Sequence, residues 1–153
     1  LWNLQRIAPD GRKLFLPGGR IDGLFWPHAM HLADGRTSPG PLVIGEGFAT
    51  VAAIHEATGH AVAAAMSARN VEPVARAMRG LFPARQIVIA ADDDCHLAEN
   101  MGLRLARKAA ESIGGLLAIP RPETSRGNSG ADFADLRRAE AAAIIAATLQ
   151  GKA

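Results

Sequence analysis

Three consecutive aspartates, Asp92-Asp93-Asp94, stand at the end of the apolar run Ile87-Val88-Ile89-Ala90-Ala91. Carboxylates crowded this closely repel one another at neutral pH unless a positive charge offsets them. In extended backbone, residues i and i+2 point the same way, so Asp92 and Asp94 are expected to converge while Asp93 points elsewhere. Two converging carboxylates suit Mg²⁺, a hard cation that takes one or two protein carboxylates and completes its shell with water and phosphate oxygens. A further acid, Glu46, closes a second apolar run, Leu42-Val43-Ile44. There it is placed to bind a second ion, or to act as general base on a hydroxyl acidified by metal. The competing reading is helix capping, since an acid near a helix N-terminus is favourable. Capping suits Asp93, which is read as a cap or a solvated side chain. It does not account for Glu-Gly at one strand end together with Asp-x-Asp at another.

These acids need a scaffold, and from Pro41 onward strands and helices alternate. Leu42-Val43-Ile44 reads as a strand buried on both faces, followed by a helix from Ala49 to Thr58 closed by Gly59. Ala61 to Ala65 is a small-residue strand. Val71 to Phe82 is a helix with Val74, Met78 and Leu81 on one face, ended by Pro83. Ile87 to Ala91 is the third strand, and the helix after it carries Leu97, Met101, Leu105 and Ala109 at intervals of four. Gly114-Gly115 stops that helix, Leu116 to Ile119 is a fourth strand, and Pro120 to Ala131 is an irregular polar loop. The last helix is expected from about Phe133 to Leu149, with Leu136, Ala139, Ala143 and Ala146 along one face. Four strand-helix repeats predict an α/β fold, a parallel sheet of about four strands flanked by helices. Ligands bind such sheets outside the carboxyl ends of the strands, where both acidic motifs fall.

Residues 1–40 differ from the rest. Leu4 to Ile7 and Lys13 to Leu16 flank Pro9-Asp10-Gly11, which predicts a β-hairpin. A second extended piece spans Gly23 to Trp26, and Asp34 to Gly40 is a linker or long turn. The division expected is a small β-rich extension over 1–40 and a catalytic domain over 41–153.

Composition narrows the classes. With 153 residues, 48% of them apolar and 21% charged, the chain is a folded domain and not a disordered segment. The formal net charge of +2 does not by itself point to nucleic acid, so a neighbouring domain is expected to supply most of any grip on DNA. The single Cys95 excludes an internal disulfide and fits a cytoplasmic protein. No apolar run reaches membrane-spanning length and no signal-peptide pattern is visible. The chain opens on Leu1 in mid-pattern, which is expected of a piece cut from a longer protein.

Pro41-Leu42-Val43-Ile44-Gly45-Glu46-Gly47, with Ile87 to Asp94 and Gly102 beyond, resembles the Toprim domain. That domain is shared by bacterial-type primases, type IA and II topoisomerases, and certain nucleases and recombination proteins. The likeness covers about residues 41–135 and implies a Rossmann-like sheet, with Glu46 as acid/base residue and Asp92 and Asp94 as metal ligands. A narrower resemblance, to the primase regions of conjugative plasmids and phage primase-helicases, rests on three stretches. They are Asn3 to Ile7 with Asp10 to Lys13, Glu46-Gly47-Phe48-Ala49-Thr50, and Gly130-Ala131-Asp132-Phe133-Ala134-Asp135-Leu136. The last motif usually reads Asp-Phe-Asn-Asp, and Ala134 departs from it, so Asp132 and Asp135 are accessory candidates only. The resemblance implies a DNA primase: Mg²⁺- or Mn²⁺-dependent nucleotidyl transfer, a single-stranded DNA template, NTPs, and a helicase and zinc-binding region elsewhere in the full-length protein. The alternatives are a metal-dependent nuclease using the same carboxylates, and a non-catalytic nucleic-acid or nucleotide-binding module.

Tyrosine is absent, so the chain lacks the nucleophile of a topoisomerase. A phosphoacceptor receiver domain would place an acidic pair after the first strand, where only Glu46 stands. His28 and His31 are closely spaced, but no cysteine pair or second histidine pair joins them into a zinc site. His96 is read as a plain helix-start residue. Template and triphosphate need cations, and the candidates are Arg69 with its neighbour Asn70, Lys13, Arg121 and Arg126, with Arg12 and Arg20 on the hairpins. Trp2 and Trp26 are read as core anchors of the N-terminal part.

Overall fold

The protein is described by a computed structural model covering residues 2–30, 40–94, 99–120 and 131–151. The N-terminal hairpin forms as the Pro-Asp-Gly turn predicts: β1 (Gln5–Ile7) pairs antiparallel with β2 (Lys13–Phe15), Gln5 opposite Phe15 and Ile7 opposite Lys13. Five further strands make the main sheet, in the order β3-β5-β4-β6-β7. They are β3 (Trp26–His28), β4 (Leu42–Gly45), β5 (Ala61–Ala64), β6 (Ile87–Ala90) and β7 (Leu116–Ala118). β4 to β7 run parallel, while β3 is an antiparallel edge strand on β5, Trp26 opposite Ala64. The sheet therefore has one strand more than the four expected, and that strand comes from the N-terminal forty residues. Among the described residues no helix is long and apolar enough to cross a membrane.

The strands are legible because both their faces are buried. Leu42, Ile44, Ala61, Ala63, Ile87 and Ile89 face one side, packed by Val71, Val74, Ala75 and Met78 of α2 (Val71–Leu81) and by Ala106, Ala109 and Ala110 of α3 (Met101–Ile113). Val43, Val62 and Val88 face the other, packed by Val51 and Ile54 of α1 (Phe48–Thr58) and by Ala141 and Ile145 of α4 (Arg138–Leu149). Phe133, fully buried, fills the space ahead of α4. This period-two division is what a parallel sheet between two helical layers requires.

Three helical faces differ from their expectation. Leu81 is 59% exposed, and Val71 and Ala75 join Val74 and Met78 instead. In α3 the buried stripe is Ala106, Ala109 and Ala110, while Met101 is exposed and Leu105 only half-buried. Leu97 lies outside the described residues. In α4 the buried positions are Ala141, Ile145 and Thr148, and Ala139, Ala143 and Ala146 face solvent. The helix starts at Arg138 because Asp132 and Asp135 take up the preceding stretch as a turn: Asp132 Oδ1 accepts from the Ala134 and Asp135 amides, and Asp135 Oδ2 accepts from that of Asp132.

From β4 the chain crosses to β5 on one side, and from β5 it returns past β4 to β6 on the other. The loops leaving β4 and β6 thus diverge, opening a crevice at their carboxyl ends, the topological switch point where open α/β sheets bind ligands. The opposite edge is closed by arginines: Arg79 donates to the carbonyls of Ile113, Pro83 and Arg85, and Arg85 to those of Gly40 and Pro41.

Candidate active site

Gly45 lies opposite Ala90 in the β4-β6 register, so Glu46 and Asp92 leave the sheet beside each other, one and two residues past its last pair. Glu46 is braced from three directions. Its carbonyl accepts the Met66 amide at 2.7 Å, the Gly45 carbonyl accepts that of Ala65 at 2.9 Å, and its carboxylate accepts from the Ala68 backbone. The residue that reaches back to Glu46, Met66, holds a left-handed φ of 68°, a strained conformation for a non-glycine residue. Gln5 Nε2 of the hairpin donates to the Met66 carbonyl at 3.1 Å, so hairpin, Met66 and Glu46 form one hydrogen-bonded chain.

Asp92 is half-buried, and its Oδ1 is fully enclosed without a hydrogen-bond partner among the described residues. Gly102 explains the enclosure: a Cβ there would stand 2.8 Å from the Asp92 carbonyl oxygen, so only glycine lets the first turn of α3 press on this backbone. Burial, then the charges of Glu46, Asp132 and Asp94, push the Asp92 carboxyl up to about 7 against the opposing pull of Lys13. Glu46 is also raised, first by burial and further by Asp94, with Lys13 and the Ala68 amide acting the other way. These mutual effects place Glu46, Asp92, Asp94 and Asp132 within one electrostatic neighbourhood.

Lys13 is a cation of that neighbourhood, its Nζ lying 3.7 Å from where a Cβ on Gly47 would be. It reaches the site because β2 carries it there, so the N-terminal hairpin contributes directly to the candidate site. Arg69 is exposed in the 3-10 turn Ala68–Asn70, next to the residue that holds Glu46. Arg121 and Arg126 lie outside the described residues.

Asn70 corrects an expectation. It is 4% exposed, and its amide accepts from Gly23 N–H at 2.8 Å while donating to the carbonyls of Leu24 at 2.8 Å and Ala65 at 2.7 Å. With those bonds made, the side chain clamps the N-terminal segment onto the end of β5 and is not available to a nucleotide. Asp93 is anchored as well, contrary to a solvated side chain. Its backbone pairs with Ala131 in an isolated antiparallel bridge, and its Oδ1 accepts from Asn100 Nδ2. Asn100 was not singled out in the sequence, yet its Oδ1 also accepts the Asp94 amide and, as N-cap of α3, the Leu103 amide, each at 3.2 Å. Nothing in an isolated Asn marks that role except its position two residues ahead of Gly102.

The donor set fits a divalent cation. An enclosed carboxylate oxygen without a partner, among like charges that oppose its ionisation, is what an ion of charge +2 would satisfy. A hard cation such as Mg²⁺ is held by one or two carboxylates, with the remaining positions left to water and phosphate.

A mostly parallel α/β sheet with acids at its switch point defines a class of domains that bind ligands outside the carboxyl ends of their strands. The chain belongs to one family within it: the Toprim domain profile matches residues 41–143. Two proteins of Escherichia coli, each named DNA primase TraC, are 39% identical to this chain over 123 residues, which is 78% of it. Those relatives are far longer, and the aligned region spans only 8% and 11% of their lengths.

Proposed function

We propose that this Toprim domain is the catalytic part of a DNA primase, joining NTPs into short RNA primers on a single-stranded DNA template. The observation that carries the reading is the unpartnered Asp92 Oδ1 set among Glu46, Asp94 and Asp132 at the switch-point crevice. The two DNA primases at 39% identity support the same reading. Asp92 and Asp94 are the residues that would hold Mg²⁺ or Mn²⁺, which when bound supplies charge neutralisation for a triphosphate. Glu46, raised above its ordinary value chiefly by burial, is a stronger base than a surface acid and receives the proton of the attacking 3′-hydroxyl. The 3′-oxygen then bonds to the α-phosphorus and pyrophosphate leaves. The Ala68 amide fixes the Glu46 carboxylate for that transfer. Lys13 and Arg69 supply positive charge to the phosphates, with Arg121 and Arg126 as further proposed contacts. Asp132 tunes Asp92 by its charge, and Asp135 secures the Asp132 turn.

In the full-length protein, a helicase and a zinc-binding region are the proposed companions, and the cytoplasm the proposed compartment. The test is incubation with single-stranded template, NTPs and Mn²⁺, beside the Asp92→Asn, Asp94→Asn double variant. New oligonucleotides that disappear in the variant are expected. Template degradation without synthesis would replace the primase by a nuclease using the same carboxylates. Metal binding with neither activity would reduce the domain to a binding module.

A further inference from the structure

On the hairpin side of the carboxylates the fold forms a solvent-open cavity of about 530 Å³. Five of the chain's seven aromatic side chains line it: Trp2, Phe15, Phe25, Trp26 and Phe48. Trp2 is 71% exposed and Phe48 46% exposed, so these two rings present surface to whatever enters, while Phe25 and Trp26 pack partly on the core and Trp26 stacks on His28 and meets Phe48 edge-on. The cavity is joined to the site by two links. Phe48 follows Glu46 by two residues, and Met66, also in the lining, donates its amide to the Glu46 carbonyl.

The lining's polar side chains are largely committed elsewhere. Asn3 Oδ1 accepts the Leu4 and Leu16 amides and its Nδ2 donates to the Arg20 carbonyl, while Gln5 Nε2 is bound to Met66. A ligand here is recognised by ring faces and not by hydrogen bonds to its edge. Charge favours an anion carried along a chain. The first thirty residues hold Arg6, Arg12, Lys13 and Arg20 against Asp10 and Asp22, and of the cations Arg12 is paired with Asp10. Among the described residues Arg20 is the one cation lining the cavity, too few for a triphosphate seated there, whereas a strand brings one phosphate per base to cations spaced along the hairpin.

We propose that this cavity receives an unpaired base of a DNA single strand, stacked on its aromatic wall, and thereby seats the strand beside Glu46. The proposal deepens the nucleotidyl-transfer reading and rests on it for the choice of DNA.

The chain has no tyrosine and both its tryptophans line the cavity, so intrinsic fluorescence reports on this place alone. The measurement is a titration in EDTA with a dT oligonucleotide of about twelve residues, a site length within the usual range for single-strand binders. Saturable quenching is expected, with little from the same sequence as duplex and none from ATP. Phe48→Ala is expected to weaken the apparent affinity roughly tenfold, the usual loss of one stacking partner. Trp2→Ala, at an exposed position that leaves Trp26 as reporter, is expected to weaken it similarly. Quenching by ATP as strong as by the oligonucleotide would overturn the proposal in favour of a free nucleotide. Unchanged affinity in both variants, or an oligonucleotide that does not quench at all, would also overturn it. Because metal is absent, the outcome separates from that of the synthesis assay: quenching without synthesis sinks only the enzymatic reading, and synthesis without quenching sinks only the base site.

Discussion

At the scale of single residues the site is governed by Asp92. Its carboxyl is held up at about 7 from an ordinary 3.8, so between those values the folded protein binds a proton that the unfolded chain does not. Stability from this group is full below the unfolded value and is lost as pH rises through about 7. In EDTA the stability of the wild type should therefore fall by on the order of 2 kcal/mol from about pH 5 to about pH 8, read as a falling melting temperature. Asp92→Asn should flatten most of that slope, leaving the smaller part due to Glu46, which is shifted in the same direction. Thermal scans of both proteins across the range check this, and parallel slopes would show that Asp92 ionises freely. Mn²⁺ should restore stability at high pH in the wild type alone, since it binds the ionised form.

At the scale of elements, α3 is pressed onto the Asp loop by Gly102 and tied to it by Asn100. Gly102→Ala puts a methyl 2.8 Å from the Asp92 carbonyl oxygen, backbone that cannot step aside, and should cost about 1–3 kcal/mol in denaturant unfolding. Gly80→Ala in α2, where an added Cβ meets nothing, should instead stabilise by up to about 1 kcal/mol. Equal effects from the two would refute the close approach. Asn100→Ala should lose about 1–2 kcal/mol by removing the cap of α3 and the partner of Asp93. Asn100→Asp keeps the acceptor for Leu103 but sets a charge against Asp93, so it should recover only part of that loss.

The same elements show what the sequence allows to be read. Leu42-Val43-Ile44 and Ile87-Val88-Ile89 are recognisable because burial on both faces leaves unbroken apolar runs, and the acids ending them stand out for the same reason. The stripes of α3 and α4 are not, because alanine occupies buried Ala106, Ala109 and Ala141 and exposed Ala139, Ala143 and Ala146 alike. Periodicity in a residue that tolerates both environments carries little information. Asn70 and Asn100 escape for another reason. Asn70 bonds backbone groups distant in the chain, Gly23 and Leu24, which no local pattern encodes, and Asn100 bonds Asp93, Asp94 and Leu103 close by, which only the folded Asp loop brings onto one side chain.

At the scale of the whole molecule, the described N-terminal residues 2–30 are built into the edge that carries the candidate site. β3 completes the sheet on β5, Lys13 acts on Glu46 and Asp92, and Gln5 holds the strained Met66 that holds Glu46. Asn70 is where this attachment is concentrated, since three backbone groups from two segments meet on one buried amide. Asn70→Ala would leave the Gly23 amide and the Leu24 and Ala65 carbonyls without that partner, at a cost of about 3 kcal/mol. The loosening should be directional. Hydrogen exchange should accelerate at Gly23 and along β3 and the hairpin, while β4 and β6, fully buried at the sheet centre, keep their protection. Withdrawal of Lys13 with the hairpin would leave Glu46 and Asp92 with less opposing charge, moving both carboxyls further up. The Mn²⁺ affinity of Asn70→Ala should then become more dependent on pH than that of the wild type. Uniform acceleration across all strands would show instead that Asn70 supports the fold as a whole and that the hairpin is not separately attached.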